Sequence, residues 1–152
     1  MAKTRVSKTE SFPLETALHI RDNCLCLHVQ RAARRLARRF DDALRPFGLT
    51  HGQFSLMVAL SRPVPHPMGP VASLLAMDRT TLTANLKPLE RRKLVKVATA
   101  KNDKRGRVLM LTGAGRRLLN AALPAWRETH AAIEPALDEP DTLRLELRTL
   151  AA

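Results

Sequence analysis

Between Arg79 and Arg91 the sequence sets Thr80, Thr81 and Thr83 beside the cations Arg79, Lys87 and Arg91. Hydroxyls donate and accept at short range, and long cationic side chains reach acidic oxygens. Together they suit a polyanion that shows both phosphates and base edges. A second basic group, Lys101, Lys104 and Arg105, is interleaved with the turn formers Asn102, Asp103 and Gly106. Asp103 adds nothing to phosphate binding, but it can orient Arg105 two residues on through a charge-assisted bond. Other chemistry is thinner. His19, His28, His51, His66 and His130 are scattered, with no metal-ligand spacing, glycine-rich phosphate loop or nucleophile elbow. Neither an enzyme, a metal site nor a bound cofactor is expected. Cys24 and Cys26 are too few and too close for a disulfide framework and read as reduced thiols of a cytoplasmic protein.

Composition points the same way. The 152 residues hold 26 Lys and Arg against 14 Asp and Glu, a net charge of +12 that asks for an anionic partner. Nucleic acid is the commonest such partner and anionic membrane the second. Only four Phe and one Trp are present, with no Tyr, which disfavours recognition by base stacking and favours duplex DNA over RNA. No apolar run is long enough for a membrane span. The first ten residues carry no apolar segment of the signal-peptide kind.

The elements that must position these groups are mostly helical. Residues 1–17 show no periodicity and are read as a flexible basic tail. From Leu25 the apolar positions Val29, Ala32, Leu36, Phe40, Ala43 and Phe47 follow in steps of three and four, one stripe of a long amphipathic helix. Pro46 and Gly48 end it. Thr50 and Gln53 form a capping-box pattern for a second helix, with Phe54, Met57, Val58 and Leu60 as its buried side. The prolines of 62–67 make a rigid, non-helical connector, and Pro70 suits the first turn of a short helix through Val71, Ala72, Leu74 and Leu75. Asp78 caps a helix to about Arg92 whose Leu82, Leu86 and Leu89 face the core. Thr80, Ala84, Lys87 and Arg91 then lie opposite, flanked by Thr81 and Thr83. Leu94 to Thr99 and Arg107 to Leu111 read as strands joined by a basic hairpin loop over 100–106. Thr112 caps a helix to about Leu137, bent at Pro124. A last helix begins near Pro140 with Leu143, Leu147 and Leu150 as its stripe.

A helix pair followed by a basic hairpin is the order of a winged helix-turn-helix. Two segments sharpen this into a family resemblance: Met77-Asp78-Arg79-Thr80-Thr81-Leu82-Thr83 with Leu89-Glu90-Arg91-Arg92-Lys93-Leu94-Val95, and Asn102-Asp103-Lys104-Arg105-Gly106-Arg107 followed by Leu111-Thr112 and Gly115. They resemble the recognition helix, wing and following helix start of MarR-family transcriptional regulators, with the elements in the family's order over about 20–150. The resemblance implies a mainly α fold with a small β-hairpin wing. It also implies a DNA-binding lobe over 49–112, a helical dimerisation region over 18–48 and 113–152, and a homodimer on a palindromic operator. Helix 78–92 would enter the major groove, with Arg105 on the wing in the minor groove. Two departures are Lys93, where the family usually has Gly, and Pro88 inside the recognition helix, where a kink is expected.

The resemblance also implies a repressor that leaves DNA when a small, often aromatic and anionic effector binds beside the lobe. Arg31, Arg34 and Arg38 are candidates for such a cleft, or else a solvated face. Arg21-Asp22-Asn23-Cys24-Leu25-Cys26-Leu27 further resembles the start of the family's organic-hydroperoxide-sensing branch, with Cys26 at the reactive position. A thiol-based redox regulator is therefore one alternative. However, Phe40 and His51 stand where that branch supplies tyrosines, and its resolving cysteine is absent. A non-specific basic architectural protein is the other alternative.

Overall fold

The computed structural model describes residues 12–100 and 103–151, and only the backbone of 103–105. The chain divides into two compact units after Leu36. The first holds α1 (Leu14–Asn23) and the opening turns of α2 (Leu25–Leu44). Residues 14–17, read from the sequence as tail, are instead the first turn of α1. Weak apolar periodicity hides that helix, and it buries no residue. The break between α1 and α2 falls on Cys24, whose extended backbone takes it out of helical geometry. The two cysteines thus do not share a helix.

In the second unit α2 ends at Leu44 and continues as a 3₁₀ turn over Arg45–Phe47. Gly48, at φ 63°, closes it in the left-handed region that glycine enters without steric cost. Of the predicted stripe only Phe40 is buried, joined by Leu44, which is fully enclosed. Thr50 and Gln53 complete the capping box of α3 (His51–Ala59) in both directions. Its buried residues are Phe54, Leu56 and Met57, with Leu60 just beyond. Val58, expected inside, is 46% exposed. This follows from α3 packing against α4 (Met68–Leu74), α5 (Arg79–Arg91) and α6 (Gly113–Ala131), which leaves one side uncovered. Leu74 is likewise exposed, and Val71 holds α4 to the core.

The proline-rich connector is more than a spacer. His66–Pro67 forms a short strand, β1, antiparallel to β3 (Asp103–Leu111), which also pairs β2 (Val95–Ala100). Proline is tolerated there because β1 is an edge strand. The hairpin is longer than the sequence suggested. Ala100 pairs with Asp103, so Asp103 to Gly106 belong to a strand, and Lys101 and Asn102 lie outside the described residues. A register shift at Thr99/Ala100 absorbs the unequal strand lengths. α6 runs through Pro124 and ends at Ala131, earlier than expected, with a 3₁₀ turn over Glu134–Ala136. α7 spans Pro140–Leu150. The architecture is mainly α with a small three-stranded antiparallel sheet, as the sequence indicated.

Candidate nucleic-acid interface and an adjoining aromatic cavity

The cap of α5 fixes where its side chains point. The Asp78 carboxylate accepts from the Thr81 amide at 2.7 Å and from the Thr81 hydroxyl at 2.9 Å. Hydrogen bonds from Thr81, backbone first, hold Asp78 below the ordinary carboxylate pKa. The Thr81 hydroxyl proton is therefore committed to the cap. Thr83 spends its own on the Arg79 carbonyl, at 2.7 Å. With Leu82, Leu86 and Leu89 buried, Arg79, Thr80, Ala84, Lys87 and Arg91 share the exposed side of α5. Helix α5 continues through Pro88 to Arg91.

The far end of α5 is tied down twice. Arg92, which apolar and capping patterns leave unremarked, donates to the carbonyls of Gly48 at 2.6 Å and Phe47 at 3.0 Å, linking the end of α5 to the turn that follows α2. Lys93 takes the left-handed conformation at φ 58°, the one the resemblance implies for glycine at this position. The Thr112 hydroxyl lies 2.8 Å from the Lys93 carbonyl and accepts from the Gly115 amide at 3.0 Å. It joins the start of the hairpin to the start of α6. A Cβ at Gly115 would collide with the Leu94 carbonyl and the Leu111 side chain, so glycine is required by close approach. On the hairpin, Arg107 donates to the Thr99 hydroxyl across the strands at 3.3 Å. Lys101 lies outside the described residues, and of Asp103, Lys104 and Arg105 only the strand position is given. The expected contact between the Asp103 and Arg105 side chains therefore also lies outside the described part of the chain.

Arg31, Arg34 and Arg38 are exposed on α2, with Arg34 donating to Gln30 at 3.1 Å. None of them lines an aromatic cavity of about 560 Å³ that lies within the second unit. Its walls are Phe40, Phe54 and Trp126 with the imidazoles of His51 and His130. Ser55, Val58, Ala59, Leu74, Leu75 and Leu123 complete it, which accounts for the exposure of Val58 and Leu74. Trp126 lies 4.5 Å from His130 and stacks 6.4 Å from Phe54, centroid to centroid, while Phe40 lies 5.3 Å from His51. The His51 ring nitrogen is 3.5 Å from the Ser55 hydroxyl, and the His51 amide donates to Asp41 at 2.6 Å. Burial pushes the His51 imidazole below its ordinary pKa, with Asp41 opposing. Sequence periodicity could not reveal this cavity, because its aromatic residues come from three separate helices. In the first unit, Cys26 is exposed at the second position of α2 and accepts from Gln30 at 3.1 Å. Among the described residues no grouping of His, Cys, Asp or Glu could hold a metal ion. No described helix is long and apolar enough to cross a membrane.

No family model matches the chain. Its fold and sequence nevertheless match the Mycobacterium tuberculosis transcriptional regulator MosR, solved in complex with DNA, at 36% identity and TM-score 0.77, covering 84% of this chain and 93% of MosR. The chain belongs to the MarR family of transcriptional regulators. The Escherichia coli transcriptional repressor MprA is 29% identical over 82% of this chain and 68% of its own length. Bordetella bronchiseptica BpsR, whose DNA binding is regulated by 6-hydroxynicotinic acid, is 25% identical at TM-score 0.72, covering 82% of this chain and 96% of BpsR. As a MarR-family member the chain is a DNA-binding transcriptional regulator.

Proposed function

We propose that the protein is a repressor that binds a palindromic operator as a homodimer and leaves it when a small aromatic molecule occupies the cavity between α2, α3 and α6. Residues 49–112 form the reading lobe, and the helices of 18–48 and 113–152 form the pairing region. α5 enters the major groove, where Arg79 and Thr80 meet base edges while Lys87 and Arg91 meet phosphates. Thr83 contributes through its remaining lone pairs, and Thr81 acts mainly as the cap's second donor. Lys101, Lys104 and Arg105 bring the wing to the backbone and minor groove, with Asp103 orienting Arg105. The carrying observation is the division of α5 into a fully buried leucine side and an opposite side of hydroxyls and cations.

The effector half of the reading is supported by the position of the cavity. Phe40 on α2 is one of its walls, and the turn that follows α2 is bonded to Arg92 at the end of α5. A molecule that shifts α2 and the turn after it therefore reaches the end of the recognition helix through the two Arg92 hydrogen bonds. A second reading, control by oxidation of Cys26, is favoured by that thiol's exposure at a helix N-terminus.

Selection of genomic fragments on the purified protein at roughly physiological salt tests the function directly. A recovered palindrome bound about a thousandfold tighter than random duplex supports the regulator. Uniform recovery replaces it with a non-specific architectural protein. On the recovered operator, Arg105→Ala is expected to weaken binding by about 1–3 kcal/mol. Unchanged affinity in an anisotropy titration removes the wing assignment. Peroxide that releases wild type but not Cys26→Ser would establish the second reading.

A further inference from the structure

Read as the effector site, the aromatic cavity carries a charge pattern that narrows what it accepts. Among the described residues none that lines it is Lys, Arg, Asp or Glu, on a chain whose net charge is +12. Cations are abundant on this protein, yet this wall is built without them. Each of the two histidines, moreover, has a carboxylate beside it, His51 at its backbone amide and His130 at its ring. The Asp41 carboxylate accepts from the His51 amide at 2.6 Å, and Glu134 lies 3.5 Å from the His130 ring nitrogen while also pairing with Arg144. An aromatic carboxylate entering here would lose part of its hydration and find no lysine or arginine in the wall to pair with. Burial of an anion without a partner is strongly unfavourable.

Two of the polar groups that face the cavity form a donor and acceptor pair. Ser55 Oγ and His51 Nε2 are 3.5 Å apart, at the outer limit of a hydrogen bond, on successive turns of α3. An inserted hydroxyl can donate to the imidazole nitrogen while accepting from the serine. Flat aromatic walls and a volume of about 560 Å³ suit a ligand of one or two rings. We infer, on the reading of this cavity as the effector site, that it takes an uncharged hydroxyaromatic molecule, a phenol rather than an aromatic carboxylate, whose hydroxyl is held by Ser55 and His51. The burial that lowers the His51 pKa keeps the ring neutral, and hence an acceptor, at neutral pH.

Trp126 is the only tryptophan of the chain and stands in the cavity wall, so its fluorescence reports occupancy directly. The full-length protein is titrated with para-phenylphenol, biphenyl and para-phenylbenzoate, matched in their rings, and release of a selected operator fragment is followed by anisotropy. The expected result is that the phenol changes Trp126 emission, releases DNA and binds about tenfold or more tightly than the benzoate. Ser55→Ala, a small change that keeps α3 intact, and His51→Phe are each expected to bring the phenol down to the affinity of biphenyl. If the benzoate binds as well as the phenol and releases DNA, the uncharged class is overturned while the effector site stands. If no probe alters emission or DNA binding, the effector site itself falls, and the phenol specificity with it. Retention of the phenol's advantage over biphenyl in both variants overturns the Ser55–His51 pair.

Discussion

Lys93 and Ala76 carry side chains at backbone positions that favour glycine. Their φ values are 58° and 48°, and each closes a helix by the same double bond pattern. At the end of α5 the Lys93 amide donates to Glu90 at 2.8 Å and the Leu94 amide to Leu89 at 2.9 Å. An L-residue held there costs about 1 kcal/mol relative to glycine. Lys93→Gly is therefore expected to raise unfolding free energy by about 1 kcal/mol, seen as a higher denaturant midpoint at unchanged slope. No gain would mean that Lys93 recovers the cost through contacts of its own side chain. His51 supports a second prediction, this one in pH. Its folded pKa lies below the ordinary value of 6.5, so between those two values the unfolded chain binds the extra proton. Stability is then complete above 6.5 and declines as pH falls through that window. His51→Gln should flatten the decline between about pH 7 and pH 5 in denaturant melts, and an identical slope in both proteins would refute the linkage.

Among the elements, α5 was almost fully legible because it combines a capping residue, a three-and-four leucine spacing and a compatible end. The wing was legible in type but not in length. Turn-forming residues at 102, 103 and 106 suggested a wide loop, whereas pairing of Ala100 with Asp103 extends the strand beneath them. Strand β1 was unreadable, since two residues rich in proline have no period, and only docking against β3 makes them a strand. The contacts of Arg92 were hidden for a different reason: its partners Phe47 and Gly48 are far away in sequence and offer only carbonyls. Within α5 the proposed division of labour can be separated by salt. Lys87→Ala should weaken all duplexes alike and lower the slope of log affinity against log salt by about one. Thr80→Val should leave that slope unchanged and reduce the ratio between operator and random DNA. Anisotropy titrations at several salt concentrations distinguish the two, and a lowered slope in Thr80→Val would reassign the threonine to phosphate binding.

At the scale of the molecule, the apolar residues left uncovered need a partner. Leu143, Leu147 and Leu150 on α7 are 37%, 41% and 64% exposed, on a helix with no buried residue. In the first unit Leu14, Ile20 and Leu25 are similarly bare, which repeats the pattern close to or within the helices that the family resemblance assigns to pairing. Uncovered apolar area of this kind on several helices marks an association surface. The proposed homodimer would also explain the economy of the proposed reading lobe. One short helix and one hairpin contact too few bases for high affinity, whereas two linked lobes bind the second half-site at a high effective concentration. In the proposed dimer the double substitution Leu143→Glu with Leu147→Glu would remove apolar contact and set like charges across the two-fold axis. It is expected to shift sedimentation from dimer to monomer and to weaken operator binding at least about a hundredfold, while affinity for a single half-site is preserved. Preserved half-site binding separates lost association from lost folding. A wild-type protein that sediments as a monomer would overturn the dimer, and with it the expectation that the operator is a palindrome.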